Sequence, residues 1–341
     1  MLGGVREVIE LAPRSVILHV VSRMKDKRFT RTLTARAWFL FPALIGFAAL
    51  ACAQIKPSIG VNTSLRGRRP FPADNPWNTP ISREPIDPNS AALIKSIGLD
   101  SRLHPDFGTD PSNGIPYIVV PTYTSKVPVV FDYPDESDPG PYPVPTNAPI
   151  EGGVNAKGDR HIIVIDRDEW KLYELFSAYP RGTWIKAGSG AIFDLDSNKR
   201  RPAGWTSADA AGLPIFPGLA RFEEIERGSI RHALRFTARR TRRAYVDPAR
   251  HFASMLTDES LPPMGTRVRL KASYDIRRFD PSAQIILQAL KTYGMILADN
   301  GGNWFVSGAP DPRWNEAELN SMKDVRGSDF EVVKMGPIVT K

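Results

Sequence analysis

The sequence is poor in the residue types and motifs that many familiar enzyme chemistries need. It holds a single cysteine, Cys52, in 341 residues, so cysteine catalysis and disulfide stapling are both excluded downstream of it. A chain this long can build a core that needs no staples. The five histidines, His19, His104, His161, His232 and His251, are scattered, and no His or Cys pair has zinc-ligand spacing. There is no Walker-type phosphate loop, no G-x-G-x-x-G dinucleotide fingerprint and no serine in a G-x-S-x-G elbow. Lys186-Ala187-Gly188-Ser189-Gly190 has the look of a nucleophile turn, but it lies inside an alternating strand pattern and not at a strand-to-helix junction. No cofactor and no metal site is expected. Internal repeats, low-complexity tracts and uninterrupted helical patterns beyond about four turns are also missing. With 31 prolines and 26 glycines, that leaves many short strands joined by turns.

What is present first is an address. Residues 24–36 are basic and precede an apolar run over 37–51. The run is shorter than the ~20 residues that cross a bilayer. Ala51-Cys52-Ala53 then fits an A-x-A cleavage pattern, so residues 1–53 are expected to be a presequence and secretory signal peptide whose true start is Met24. Ala49-Leu50-Ala51-Cys52 also resembles a lipobox, but alanine stands where that motif has leucine, which ranks a Cys52 lipoprotein below a soluble secreted or periplasmic product. No stable membrane span is expected after cleavage.

The formal charge of +8 suggests nucleic acid only until that segment is removed. Residues 1–53 carry eight Lys/Arg against three acids, which leaves +3 for the rest, so no nucleic-acid partner is expected. A local cluster persists, with eight arginines between Arg227 and Arg250 against one acid, Asp247. If 230–237 is a strand, Arg231, Arg235 and Arg239 share one face, and Ile230, His232, Leu234 and Phe236 the other. The arginine stripe reads either as a solvated edge or as a docking strip for an acidic polymer such as a uronate polysaccharide, whose carboxylates a guanidinium grips with two hydrogen bonds. On the second reading the face is open to solvent, and Arg235→Ala leaves the fold intact.

In chain order, residues 54–88 are expected to be an extended, proline-rich arm tacked to the domain surface by Trp77, and residues 89–341 a single β-rich domain. A short helix follows Asp87-Pro88-Asn89-Ser90, then strands at 115–120 and 127–131 and an exposed acidic, proline-rich loop at 132–145. Segments 161–166, 170–178 and 184–193 read as an antiparallel meander with Trp170, Leu172, Glu174 and Phe176 on one face. A strand at 267–273, a helix over 282–293, an Asn-Gly hairpin joining 295–298 to 303–307, a short helix near 315–325 and a strand at 330–334 complete the chain. The hairpin gives Asp299 and Asn300 a structural explanation. The fold class expected is mainly β, an antiparallel β-sandwich of jelly-roll type with two or three peripheral helices.

The candidate site centres on the long loop between the 184–193 and 230–237 strands, which carries Asp194, Asp196, Trp205 and Asp209; loops of that length are commonly functional. Two enzyme chemistries are open. A lyase needs a cation on the substrate's acid group plus a base and an acid, for which Arg235 or Lys271 and His232 or Tyr245 are available. A glycosidase needs paired carboxylates, for which Asp194, Asp196, Asp209 and Glu174 are available, Glu174 because an apolar face raises its pKa. The Asp194/Asp196 pair reads equally as a loop cap or calcium ligands. Trp205, Arg231, Arg239, Lys271 and Trp304 are the candidate substrate-binding residues. The non-catalytic alternative is a glycan-binding or cell-envelope protein with Trp205, Trp304 or Trp314 forming a flat platform. Either way the expected partner is a polysaccharide or envelope glycan, neutral or acidic.

The segments G-D-R-H-I-I-V-I-D, K-L-Y-E-L-F, G-W-T-S-A-D-A-A-G-L-P-I-F-P-G-L, I-R-H-A-L-R-F-T, L-K-A-S-Y-D-I and Y-G-M-I-L-A-D-N-G, spread between about Phe71 and Val333, resemble a family of exported, β-rich bacterial proteins to which no activity is attached. The resemblance implies one domain over most of the chain and carries no catalytic residues with it.

Overall fold

The computed structural model describes residues 56–340; the expectations for the presequence, the signal peptide and Cys52 lie outside them. The first half runs β1 (Gly60–Val61), α1 (Ser90–Ile97), β2 (His104–Asp106), β3 (Tyr117–Val120), β4 (Val129–Phe131), β5 (Ile162–Asp166), β6 (Lys171–Phe176), β7 (Tyr179–Pro180), β8 (Ile185–Ala187) and β9 (Ser189–Asp194). The second half runs α2 (Phe222–Glu226), β10 (Leu234–Ala238), β11 (Arg267–Leu270), α3 (Pro281–Thr292), β12 (Met295–Asn300), β13 (Phe305–Ser307), α4 (Glu316–Ser321) and β14 (Phe330–Val332). Three sheets result, ordered β1-β3-β5-β6-β9, β14-β11-β12-β10-β13-β2 and β4-β8-β7.

Side-chain alternation explains how the five-stranded sheet becomes the middle layer. Tyr117, Val119, Ile163, Ile165 and Leu172 point into the main core shared with the six-stranded sheet and the helices. Their neighbours Ile118, Val120, Ile162, Val164, Tyr173 and Leu175 point the other way, into a second core closed by Ile185 and Ala187 of the three-stranded sheet. Strands buried on both faces read as continuous apolar runs, as H-I-I-V-I-D does. The register Ile163↔Glu174 sets Glu174 on the main-core face beside Leu172, as the meander reading expects.

The chain is β-rich with few helices, as expected, and the meander β5-β6-β9 is antiparallel. The sheets themselves are mixed, which corrects the antiparallel jelly-roll picture: β3 with β5, β4 with β8, β10 with β12, and β13 with β2 are parallel. The 184–193 segment is two strands, β8 and β9, placed in different sheets on either side of Gly188. The Asn-Gly hairpin does not form either, because β10 lies between β12 and β13, parallel to the first and antiparallel to the second. The arm is core: Leu65, Phe71 and Trp77 are buried, and the Trp77 carbonyl accepts from Ala233 N–H at 2.7 Å. Among the described residues no helix is long and apolar enough to cross a membrane.

Candidate functional site

β10 is where fold and charge meet. All five of its residues are buried, so Arg235 cannot reach solvent and is satisfied internally. Its Nε and one terminal nitrogen donate to the two oxygens of Asp209, each at 2.8 Å, and the other terminal nitrogen donates to Ser307 Oγ at 2.7 Å. Asp209 is fully buried. The fork-on-carboxylate geometry compensates two charges that burial alone would make very costly. The long loop is pressed onto this pair: a Cβ at Gly218 would come within 2.8 Å of the Arg235 Cβ and of the Trp77 ring.

Asp299 joins the pair through a register break. β10 and β12 pair Arg235 with Ile296, but after a shift at Phe236/Thr237 the next partner of Thr237 is Asp299. Strict alternation puts Ile296 and Asp299 on opposite faces. The bulge brings Asp299 round to the Arg235 face, where its Oδ2 accepts from the guanidinium at 3.2 Å. Burial, with the Asp209 carboxylate behind it, pushes the Asp299 carboxyl up to about 7, against the pull of Arg235.

Two more buried titratable groups stand behind this trio. His161 contacts Glu151 Oε2 through Nδ1 at 2.6 Å and the Ala208 carbonyl through Nε2 at 3.0 Å. A carbonyl only accepts, and a carboxylate only accepts, so both ring nitrogens carry protons and the ring is an imidazolium. Burial opposes that charge, but Glu151 outweighs it and raises His161 to about 9. Glu174, fully buried, accepts from the Ile215 and Phe216 N–H groups at 3.0 and 2.8 Å. Burial nonetheless pushes it up to about 7.

A consequence for stability follows from linkage. A carboxyl whose pKa is higher in the folded chain than in the unfolded one stabilises the fold at low pH, and that contribution is lost as pH rises through the folded value. Glu174 therefore loses its own between about 4.5 and 7, Asp299 between about 3.8 and 7, and His161 between about 6.5 and 9. Folding stability is expected to fall from pH 5 to pH 9, and Glu174→Gln to flatten the part below 7, an effect bounded at about 3 kcal/mol. Urea midpoints at pH 5, 7 and 9 check this; a wild-type midpoint that rises across the range contradicts it.

Above these groups a cavity of about 390 Å³ opens, lined by Tyr133, Glu136, Asp159, Ser207, Asp209, His251, Asp299 and Asn300 among others. Its size falls in the range of small-ligand sites. His251 donates from Nδ1 to the Ala210 carbonyl at 2.8 Å, and its Nε2 lies 3.9 Å from Glu136 Oε2. Glu136 Oε2 accepts from Thr206 N–H at 3.1 Å. Arg201, buried and paired with Asp138, donates to the Thr206 and Glu136 carbonyls, so it ties one wall of the cavity to the other. The cavity thus combines a carboxyl that titrates near neutrality with a second carboxylate and a histidine oriented by its Nδ1 hydrogen bond, the equipment of acid–base catalysis.

Of the sequence-derived candidates, the structure gathers Asp209, Arg235 and Glu174 here. Trp205 is half-buried at the edge of the same loop, its ring 5.6 Å from the Arg201 guanidinium. The others go elsewhere. Asp194 and Asp196 are exposed and form a turn in which Asp194 Oδ1 accepts from Asp196 N–H, with Asp196 3.4 Å from Arg68. Tyr245 is a core residue. Trp304 is fully buried between Phe236 and Phe330, and Trp314 is buried too, so neither presents a flat aromatic face to solvent. Lys271 donates to the Ser328 carbonyl at 2.8 Å, outside the cavity. His232 bonds the Ala233 carbonyl and meets Glu224 and Arg221 at a different pocket. Arg231 and Arg239 are exposed beyond the ends of β10, so no stripe runs through Arg235.

Asp299, His251, Glu136, Asp159, Glu151 and His161 escaped the sequence reading. The one available signal was the D-N-G-G segment, a turn motif whose aspartate ends a strand of four buried residues. Among the described residues no group of three or more His, Cys, Asp or Glu could hold a metal ion. The chain matches no protein-family model, no curated protein and no solved structure.

Proposed function

We propose that the protein is an exported carbohydrate-active enzyme that hydrolyses glycosidic bonds in a neutral or amino-sugar glycan at the Asp299 cavity. The observation that carries this is the meeting of Asp299, whose carboxyl titrates at about 7, with Glu136 and His251 in one cavity. A carboxyl still protonated near neutral pH gives its proton to the leaving glycosidic oxygen. Glu136, or His251 at Nε2, takes a proton from the attacking water as that water's oxygen bonds to the anomeric carbon. Asp209 and Arg235 position Asp299, while burial and the Asp209 carboxylate hold its pKa up against the pull of Arg235.

The lyase alternative has weaker support. β-Elimination on a uronate needs a free cation for the substrate's carboxylate, and Arg235 is saturated by Asp209. The cavity is lined by Glu136, Asp159, Asp209 and Asp299, which disfavours an anionic sugar. A binding-only role keeps only half-buried Trp205 of its three candidate platform residues, since Trp304 and Trp314 are buried. The test is a panel of neutral, amino-sugar and uronate polysaccharides, followed by reducing-end release and by absorbance of unsaturated uronates. New reducing ends from a neutral or amino-sugar polymer are expected. Unsaturated products, or turnover confined to uronates, overturn the hydrolase reading.

A further inference from the structure

A second pocket, of about 380 Å³, has the opposite charge. Arg68, Arg69, Arg221, Arg227 and Arg231 line it, and its carboxylate is Glu224. That carboxylate is already committed: Glu224 Oε1 accepts from Arg221 at 2.6 Å and lies 3.1 Å from His232 Nε2, with all three side chains buried. Glu223, just behind, is taken up by Ser64, the Leu65 N–H and the Arg227 guanidinium. Arg68 stacks on Trp170 at 4.0 Å and reaches Asp196 at 3.4 Å. Arg69 and Arg231 have neither a hydrogen-bonding nor an ion-pairing side-chain partner among the described residues, and Arg69 is half-buried while unpaired.

We propose that this pocket is an anion-binding site, separate from the Asp299 cavity, for a phosphate, sulfate or carboxylate group carried by a small ligand or a chain end. Five guanidiniums converging on one concavity repel each other; Glu223 and Glu224 take up Arg221 and Arg227, and Arg68 reaches Asp196, which leaves Arg69 and Arg231 uncompensated. The remaining field is focused between the apolar walls Pro70 and Pro217, where charge pairs are worth more than on an open surface. Guanidinium forks match a pair of oxygens on one centre, which all three anions present, with two hydrogen bonds each. Buried Arg221, anchored by Glu224 and by the Phe216 and Leu219 carbonyls, forms a rigid floor; exposed Arg231 and half-buried Arg69 supply free donors at the mouth. The site does not depend on what the other cavity does.

The experiment is titration calorimetry at low ionic strength with inorganic phosphate, inorganic sulfate and a galacturonate oligomer, and with sodium chloride as control. The wild-type chain is compared with Arg69→Ala/Arg231→Ala, two positions whose side chains hold no part of the core. Saturable binding of at least one of the three anions is expected, weakened about tenfold or more in the double variant and progressively by added salt. Phosphate or sulfate binding alone assigns a tetrahedral group, and oligomer binding alone a carboxylate. No saturable binding above the chloride control, or equal binding by a folded double variant, overturns the proposal.

Discussion

Arg235→Ala is expected to lose about 3–5 kcal/mol of folding stability, the cost of removing one partner of a buried ion pair. The variant leaves Asp209, fully buried, without the two 2.8 Å bonds that neutralise it, and strands Ser307 Oγ as well. Asp209 and Asp299 then face each other with no cation between them. Arg235→Lys keeps the charge but not the fork, and is expected to lose less than alanine does. The double variant Arg235→Met/Asp209→Leu removes both charges and fills the space, so it is expected to recover most of the loss. Urea unfolding of the four proteins measures these differences. A folded Arg235→Ala protein within about 0.5 kcal/mol of wild type, the range of ordinary surface substitutions, refutes the buried-pair account and returns Arg235 to a solvent-facing stripe.

The same residue shows what the sequence could and could not say. Alternation located β5, β6, β10 and β11, because period two is a local property. It also grouped Arg231, Arg235 and Arg239 on one face, but only Arg235 of the three lies within the strand, so the inferred shared environment failed. β10 is a central strand flanked by β12 and β13, so its middle is buried on both sides while the flanking arginines emerge past its ends. Strand order is a long-range property, and the D-N-G-G turn gave no sign that β10 would run between its two arms. The loop carrying Asp209 was recognisable by its length and its apolar content. Asp299 was not, because a bulge reversed its face. Glu151 and His161 could not be paired in advance, since Glu151 sits in irregular chain where no periodicity fixes direction.

Asp299→Asn is expected to reduce kcat on a hydrolysed glycan by about 10²–10⁴-fold, the usual contribution of a positioned general acid, with the fold retained. The amide keeps the shape and can still accept the Asn300 N–H and approach Arg235. The sign of the pH effect is fixed: the active form of Asp299 is protonated, so wild-type kcat falls as pH rises through about 7. In the variant that alkaline limb disappears. The titration is observable without a substrate, because carboxyl-carbon NMR should show one aspartate changing protonation near pH 7 in the wild type and none there in the variant. Asp194→Asn, an exposed turn residue, serves as the control and is expected to leave kcat within about twofold, as an exposed change remote from any special feature should. An Asp299→Asn enzyme with undiminished kcat, or one that keeps the limb near pH 7, assigns the proton to another group. Glu174, which titrates in the same range but is sealed beneath the Ile215 and Phe216 N–H groups, is then the first to be replaced.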